Sequence, residues 1–136
     1  MKNKILFVCR YNRFRSVIAE ALFKKLNKNK NIKVKSAGII KGSPIGINVR
    51  YLAKEFKLKI KKYPQGLTSP LMKWQNVTII VGNDIHPSLF DKNKKFGKQV
   101  IIWKIPDAKT NNIKEIIEIA NLIEKKIKEF VNRIER

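Results

Sequence analysis

The chain has 136 residues, which is room for about one domain, and its 43% hydrophobic content is ordinary for a globular protein. Its 31 lysines and arginines against 10 aspartates and glutamates give a net charge of +21, so a folded domain with a basic surface and anionic partners is expected. One cysteine and one histidine exclude an internal disulfide and argue against a cysteine-rich zinc site or a histidine-ligated metal centre.

The longest apolar runs are short, continuous and rich in β-branched residues, which predicts buried strands of a parallel sheet. They lie at residues 5–8, 77–81 and 100–103. None approaches the roughly 18 apolar residues that cross a bilayer. We therefore expect a cytoplasmic protein with no membrane contact.

Between these strands the apolar residues recur at helical spacing, which predicts amphipathic helices. They stand at positions 18, 21, 22 and 26, at 49, 52, 53 and 56, and in a long C-terminal series from 113 to 134 that follows candidate caps at 110–112. Residues 32–36 alternate with lysines and predict an edge strand. The order predicts one α/β domain over residues 1–136, an open, mostly parallel four-stranded sheet with helices on both faces.

The segment between the first strand and the first helix, residues 9–16, reads Cys-Arg-Tyr-Asn-Arg-Phe-Arg-Ser. Ligands of open α/β sheets bind beyond the carboxyl ends of the strands. Successive backbone N–H groups and the helix N-terminus would form a cradle for a tetrahedral anion, so phosphate or sulfate is expected to bind there. The spacing brings the Cys9 thiol and the Arg15 guanidinium onto one anion and favours the nucleophilic thiolate, to which Ser16 is placed to donate.

Several segments of the chain match a known family pattern. They are residues 5–9, Asn12, Arg15 with Ser16, residues 19–23, Ser-Ala-Gly at 36–38, Gly-Ser-Pro at 42–44 and Leu-Thr at 67–68. Together they resemble the low-molecular-weight protein tyrosine phosphatase family, which is related to arsenate reductases of the same fold. The resemblance spans almost the whole chain, and the Cys-x5-Arg-Ser segment is its most specific part.

The resemblance implies a role for each matching residue. Cys9 attacks phosphorus, and Arg15 binds the equatorial oxygens. Ser16 assists the thiolate, and Asn12 fixes the loop conformation. A late aspartate acts as general acid in this family, and Asp107, in Ile-Pro-Asp-Ala at 105–108, occupies that place. The reaction implied is phosphomonoester hydrolysis through a phosphocysteine, with no metal and no cofactor.

The remaining loop residues complete the expected phosphate-binding set, which contains Arg10, Tyr11, Asn12, Arg13, Phe14, Arg15 and Ser16. Tyr11 stands where the family usually has glycine, and Phe14 where some members have a second cysteine. Ala108 replaces an expected proline, and Lys109 and Thr110 replace aromatic residues that wall the substrate cleft. These departures leave open whether phosphotyrosine or a related phosphomonoester is the substrate, and whether phosphotyrosine or phosphoarginine is preferred. Asp84, after the third strand, either faces the cleft or is structural.

Two alternatives remain beside a phosphatase acting on a phosphorylated protein or a small phosphoester. One is an arsenate reductase on the same scaffold, which would need an external thiol because the chain has a single cysteine. The other is a catalytically inactive basic module that binds anions or nucleic acid. The lysines at 24–30, 57–62 and 92–98 are dispersed along the chain, so nucleic acid is a possible but not a favoured partner.

Overall fold

A computed structural model, which describes residues 3–134, shows strands and helices alternating along the chain. The elements are β1 (Lys4–Cys9), α1 (Arg15–Leu26), β2 (Lys33–Gly38), α2 (Ile47–Glu55), α3 (Ser69–Trp74), β3 (Val77–Val81), a 3₁₀ helix (Pro87–Phe90), α4 (Asp91–Lys95), β4 (Gln99–Trp103) and α5 (Ile113–Ile134). None of the helices within this range is long and apolar enough to cross a membrane.

The four strands form one open sheet in the order β2-β1-β3-β4, and every neighbouring pair is parallel. Cys9, the last residue of β1, lies opposite Gly38, the last residue of β2. All carboxyl ends therefore meet at one edge of the sheet, and the loop after β1 starts near its centre. The predicted α/β sheet is confirmed, and it is entirely parallel.

Helices cover both faces of the sheet, as predicted, and the side chains of β1 alternate between two cores. Ile5 and Phe7 point into the larger core, which α1, α2 and α5 complete. Leu6 and Val8 point into a smaller core that includes Phe90 of the 3₁₀ helix and is flanked by residues of α3. Because both faces of β1 are covered, its apolar residues run without interruption.

Two elements differ from the prediction in their burial. Residues 100–103 were predicted to form a buried strand, but β4 lies at the edge of the sheet, with Gln99 exposed and Ile102 42% exposed. Helix α1 is not amphipathic over its first nine residues, since all of Arg15–Phe23 are buried. The reason is that α5 packs on α1 while the sheet covers its other side.

Helix α5 shows the predicted amphipathic pattern. Its buried residues are Ile116, Ile119, Ala120, Ile123, Ile127 and Val131. Of the three candidate caps, Asn112 caps the helix, because its Oδ1 accepts from Lys114 N at 2.9 Å. Thr110 Oγ1 accepts from Asn112 N at 3.1 Å in the turn before the helix. The helix therefore begins where the polar segment ends, directly beside the carboxyl edge of the sheet.

Candidate active site

The loop that joins β1 to α1 is fixed by backbone hydrogen bonds to the segment after β2. Ile39 N donates to Cys9 O at 3.0 Å, and Ile40 N donates to Arg10 O at 3.0 Å. Close approach requires glycine at position 38, since a Cβ there would lie 2.6 Å from Asn12 N. The loop conformation thus depends on the neighbouring strand as well as on the loop sequence.

Cys9 and Ser16 face each other across this loop. The Cys9 thiol is buried, and its Sγ lies 2.9 Å from Ser16 Oγ in the first turn of α1. Asn12 Nδ2 donates to Ser16 Oγ at 2.8 Å. Either atom can donate in the contact between Cys9 and Ser16, so the hydroxyl is placed to donate to the sulfur whenever the sulfur is ionised.

Asn12 connects the loop to its surroundings with four side-chain hydrogen bonds. Its Nδ2 donates to Ser16 Oγ and, at 3.0 Å, to Ser36 Oγ. Its Oδ1 accepts from Lys61 Nζ and from Gln65 N, both at 2.8 Å. Asn12 is fully buried and has a φ of 53°, the left-handed conformation that asparagine tolerates better than most residues.

Behind Asn12, Lys61 and Glu20 form a second layer of polar contacts. Lys61 Nζ donates to Ser36 O at 2.9 Å, and Ser36 Oγ donates to Glu20 Oε1. Burial lowers the pKa of Lys61, and the negative charge of Glu20 opposes this shift. Sequence reasoning missed both residues. Lys61 lies in the lysine-rich segment 57–62, and no local pattern distinguishes it from its solvated neighbours.

Arg15 is 1% exposed, and its guanidinium is held from three sides. Nη1 donates to Ile105 O at 3.0 Å, and Asp84 forms a two-point contact through Oδ1 with Nη1 at 3.0 Å and through Oδ2 with Nη2 at 3.1 Å. Asp107 Oδ2 lies 3.5 Å from Nη2. Asp84 therefore has the structural role of pairing with the arginine, and it is not one of the residues that line the cavity above the loop.

A cavity of about 430 Å³ opens above the loop. Of the predicted site residues, it is lined by Cys9, Tyr11, Arg13, Phe14, Arg15 and Asp107, together with residues 46–49, 108–111 and Ile116. The predicted residues Asn12 and Ser16 lie buried behind the loop, and Arg10 is exposed, with its guanidinium 5.2 Å from the centre of the Tyr11 ring. The nucleophile, the arginine and the acid predicted from the sequence thus share one cavity.

The family model for low molecular weight phosphotyrosine protein phosphatase matches residues 4–136. The chain belongs to this family. A search of curated proteins found no match.

Several solved structures are similar to this member of the low molecular weight phosphatase family, and they differ in activity. The Erwinia amylovora tyrosine phosphatase AmsI is 22% identical, with a TM-score of 0.83 and 100% of this chain and 95% of that chain covered. The YwlE arginine phosphatase from Geobacillus stearothermophilus is 20% identical, with a TM-score of 0.82 and 97% and 92% covered. The arsenate reductase from Archaeoglobus fulgidus is 27% identical, with a TM-score of 0.75 and 94% and 98% covered.

The structure explains how this family member accommodates Tyr11 in place of glycine. Among the non-glycine residues of the described range, positive φ values occur at Asn12 and Lys57, so the backbone at Tyr11 is open to any side chain. The ring is 36% exposed at the rim of the cavity. On the other rim, Ala108 N donates to Asp107 Oδ1 at 2.9 Å, a bond that the family's proline has no N–H to make.

Proposed function

We propose that this chain is a cysteine-dependent phosphatase that hydrolyses phosphotyrosine or a related phosphomonoester through a phosphocysteine intermediate. The observation that supports it most is that Cys9, Arg15 and Asp107 line one cavity at the carboxyl edge of the sheet. The loop amides and the Arg15 guanidinium supply the positive field that the phosphoryl oxygens require, so this reaction needs no metal ion.

In the first step, Cys9 Sγ attacks phosphorus on the side opposite the leaving oxygen. The S–P bond forms while the P–O bond breaks, and the leaving oxygen takes its proton from Asp107. Asp107 suits this task because its side chain lines the cavity and is 43% exposed there, within reach of a leaving oxygen. Ser16, 2.9 Å from the sulfur, stabilises the thiolate before the attack.

In the second step, the Asp107 carboxylate accepts a proton from a water molecule, and the water oxygen attacks phosphorus. The S–P bond breaks, the thiolate of Cys9 returns, and inorganic phosphate leaves. Arg15 binds the equatorial oxygens in both steps, and its pairing with Asp84 holds the guanidinium in place before substrate arrives.

The test is hydrolysis of p-nitrophenyl phosphate and of a phosphotyrosine peptide by the wild type and three variants. Cys9→Ser is expected to show no turnover, and Asp107→Asn a kcat lower by about a hundredfold on the peptide. Asp91→Asn, an exposed aspartate of α4, is the matched control and should equal the wild type. An inactive wild type, or unchanged turnover by Cys9→Ser, would refute the proposal. Tight phosphate binding without turnover would favour the inactive anion-binding module.

Arsenate reduction is the second candidate, favoured by the 27% identity to the Archaeoglobus fulgidus arsenate reductase. Here Cys9 Sγ would attack arsenate and displace water. An external thiolate would then attack Cys9 Sγ, forming a mixed disulfide as arsenic leaves as arsenite with the electron pair. A second external thiol would return Cys9 to the thiol and leave as a disulfide. Absence of arsenite from arsenate and glutathione would exclude this candidate for that thiol class.

A further inference from the structure

The cavity carries an uneven set of charges around the phosphate-binding loop. Its lining residues include three cations, Arg13, Arg15 and Lys109, and one carboxylate, that of Asp107. Arg15 is compensated by its pairing with Asp84 and Asp107. Arg13 and Lys109 form no ion pair with any of residues 3–134. Glu115 Oε1 accepts from Lys109 N and Thr110 N and offsets part of the Lys109 charge. Arg13 therefore supplies the larger part of the positive charge that the rim presents to a bound phosphoryl group.

Arg13 is fixed at this rim, so its charge is not spread over many rotamers. Nε donates to Pro44 O at 3.1 Å, and Nη2 donates to the same oxygen at 2.9 Å. Its aliphatic stem lies against Gly42, where an added Cβ would be 2.7 Å from Arg13 Cγ and Cδ. A Cβ at Gly46 would lie 3.7 Å from Arg13 Nη2, which places the guanidinium beside the start of α2.

A prearranged cation acts on the part of the substrate that lies outside the loop. The phosphoryl group occupies the loop, so the leaving group and its neighbours face Arg13 and Lys109. A negative charge there is attracted and a positive charge is repelled. The net charge of +21 adds a long-range attraction of the same sign.

We propose that the rim formed by Arg13 and Lys109 selects phosphotyrosine peptides with acidic residues beside the phosphotyrosine. It selects against basic sequences and against cationic leaving groups, including the guanidinium of phosphoarginine. This inference rests on the proposed phosphatase function and names its substrate class. It assigns Arg13 a role in specificity in addition to its contact with the loop at Pro44.

The size of the effect follows from Coulomb's law. Two unit charges about 8 Å apart in water change the affinity of a peptide about twofold. Exchanging an acidic for a basic residue replaces an attraction to Arg13 by a repulsion, so the affinity changes about fivefold. The preference should be largest at low ionic strength and shrink as the Debye length falls to about 3 Å in 1 M salt.

The experiment uses two phosphotyrosine peptides of equal length, flanked by aspartates in one and by lysines in the other. Hydrolysis by the wild type gives the ratio of kcat/KM values, and binding to Cys9→Ser gives the ratio of Kd values. Both ratios should favour the acidic peptide by about tenfold at low salt. Because the acidic and the basic peptide are compared on the same variant, a general loss of activity in that variant cancels from the ratio.

Three variants identify the source of the preference. Arg13→Gln should lower the ratio about fivefold, whereas Arg13→Lys, which keeps the charge without the paired bonds to Pro44, should retain most of it. Lys33→Gln removes an equal charge at the amino end of β2, away from the cavity, and should leave the ratio unchanged.

Equal Kd values for the two peptides would overturn the inference even if both are hydrolysed. Equal ratios in Arg13→Gln and the wild type would overturn the role of Arg13. A phosphoarginine peptide hydrolysed with a higher kcat/KM than the acidic phosphotyrosine peptide would contradict the selection against cations. Unequal Kd values without any hydrolysis would refute the proposed phosphatase function while leaving the charge selection intact.

Discussion

Replacing Asn12 by alanine tests how far the loop depends on one side chain. Three of its hydrogen bonds have neutral partners and contribute about 1 kcal/mol each, and the bond from the Lys61 ammonium about 2 kcal/mol. Their loss sums to about 5 kcal/mol. Alanine at a φ of 53° adds about 1 kcal/mol of backbone strain. The total is close to the whole stability of a small domain, about 5–15 kcal/mol.

The assay is urea unfolding followed by circular dichroism, with Asn12→Gly alongside Asn12→Ala. Glycine loses the same hydrogen bonds but not the strain, so it should be about 1 kcal/mol more stable than alanine. Lys57 provides the control, because it has a φ of 56° and an exposed side chain. Lys57→Gly should be slightly stabilising relative to Lys57→Ala, and neither should alter activity.

The reasoning is refuted if Asn12→Ala lies within about 1 kcal/mol of the wild type, since the hydrogen bonds would then contribute little. It is refuted in part if glycine and alanine are equally destabilising at position 12, because the left-handed backbone would then carry no cost. Activity should fall in both variants, because the Ser16 hydroxyl beside Cys9 Sγ loses the amide that holds it in place.

Three further substitutions address other parts of the site. Gly38→Ala should lower kcat/KM at least about tenfold, because the added Cβ would lie 2.6 Å from the loop backbone. Gly66→Ala is the control and should behave as wild type in the same assay, since the atom nearest to its added Cβ is 3.4 Å away. Asp84→Asn should raise KM and lower the free energy of unfolding in urea by about 2 kcal/mol, because the buried Arg15 guanidinium loses its paired carboxylate. The cost is not larger because the Asp84 side chain is 26% exposed to water. An unchanged KM would argue against that pairing. Lys61→Met should change how the free energy of unfolding depends on pH, because burial lowers the pKa of Lys61 in the folded wild type below its ordinary value of 10.5. The unfolded chain then holds more protons, so the free energy of unfolding of the wild type should rise relative to the variant as pH increases through that window. A pH-independent difference would contradict the burial of the ammonium.

The sheet could be predicted because burial on both faces leaves a clear mark in the sequence. Residues 5–8 and 77–81 are continuous apolar runs, and the structure places them in the two central strands. Helix α3 has six residues and none of them is buried, so it leaves no apolar period to detect. Its start is instead fixed by Thr68, whose Oγ1 accepts from Leu71 N at 3.3 Å.

Local spacing predicted the part of the candidate site whose residues are close together in the chain, whereas Asp107 was placed by the family resemblance. Cys9, Arg15 and Ser16 lie within eight residues, and their spacing carries the chemistry. Lys61 is 49 positions from Asn12, and Asp84 is 69 positions from Arg15. Such contacts follow from how the parallel strands align at one edge, which local sequence patterns do not encode.

Cys9 is the only cysteine of the chain, and it shares the cavity with Phe14, which has consequences for its oxidation. Peroxide converts a thiolate to a sulfenic acid, which a nearby second thiol normally captures before further, irreversible oxidation. The phenylalanine ring offers no such capture, and no other sulfur nucleophile stands in the sequence. Recovery of an oxidised Cys9 must therefore come from a small-molecule or protein reductant able to reach the loop.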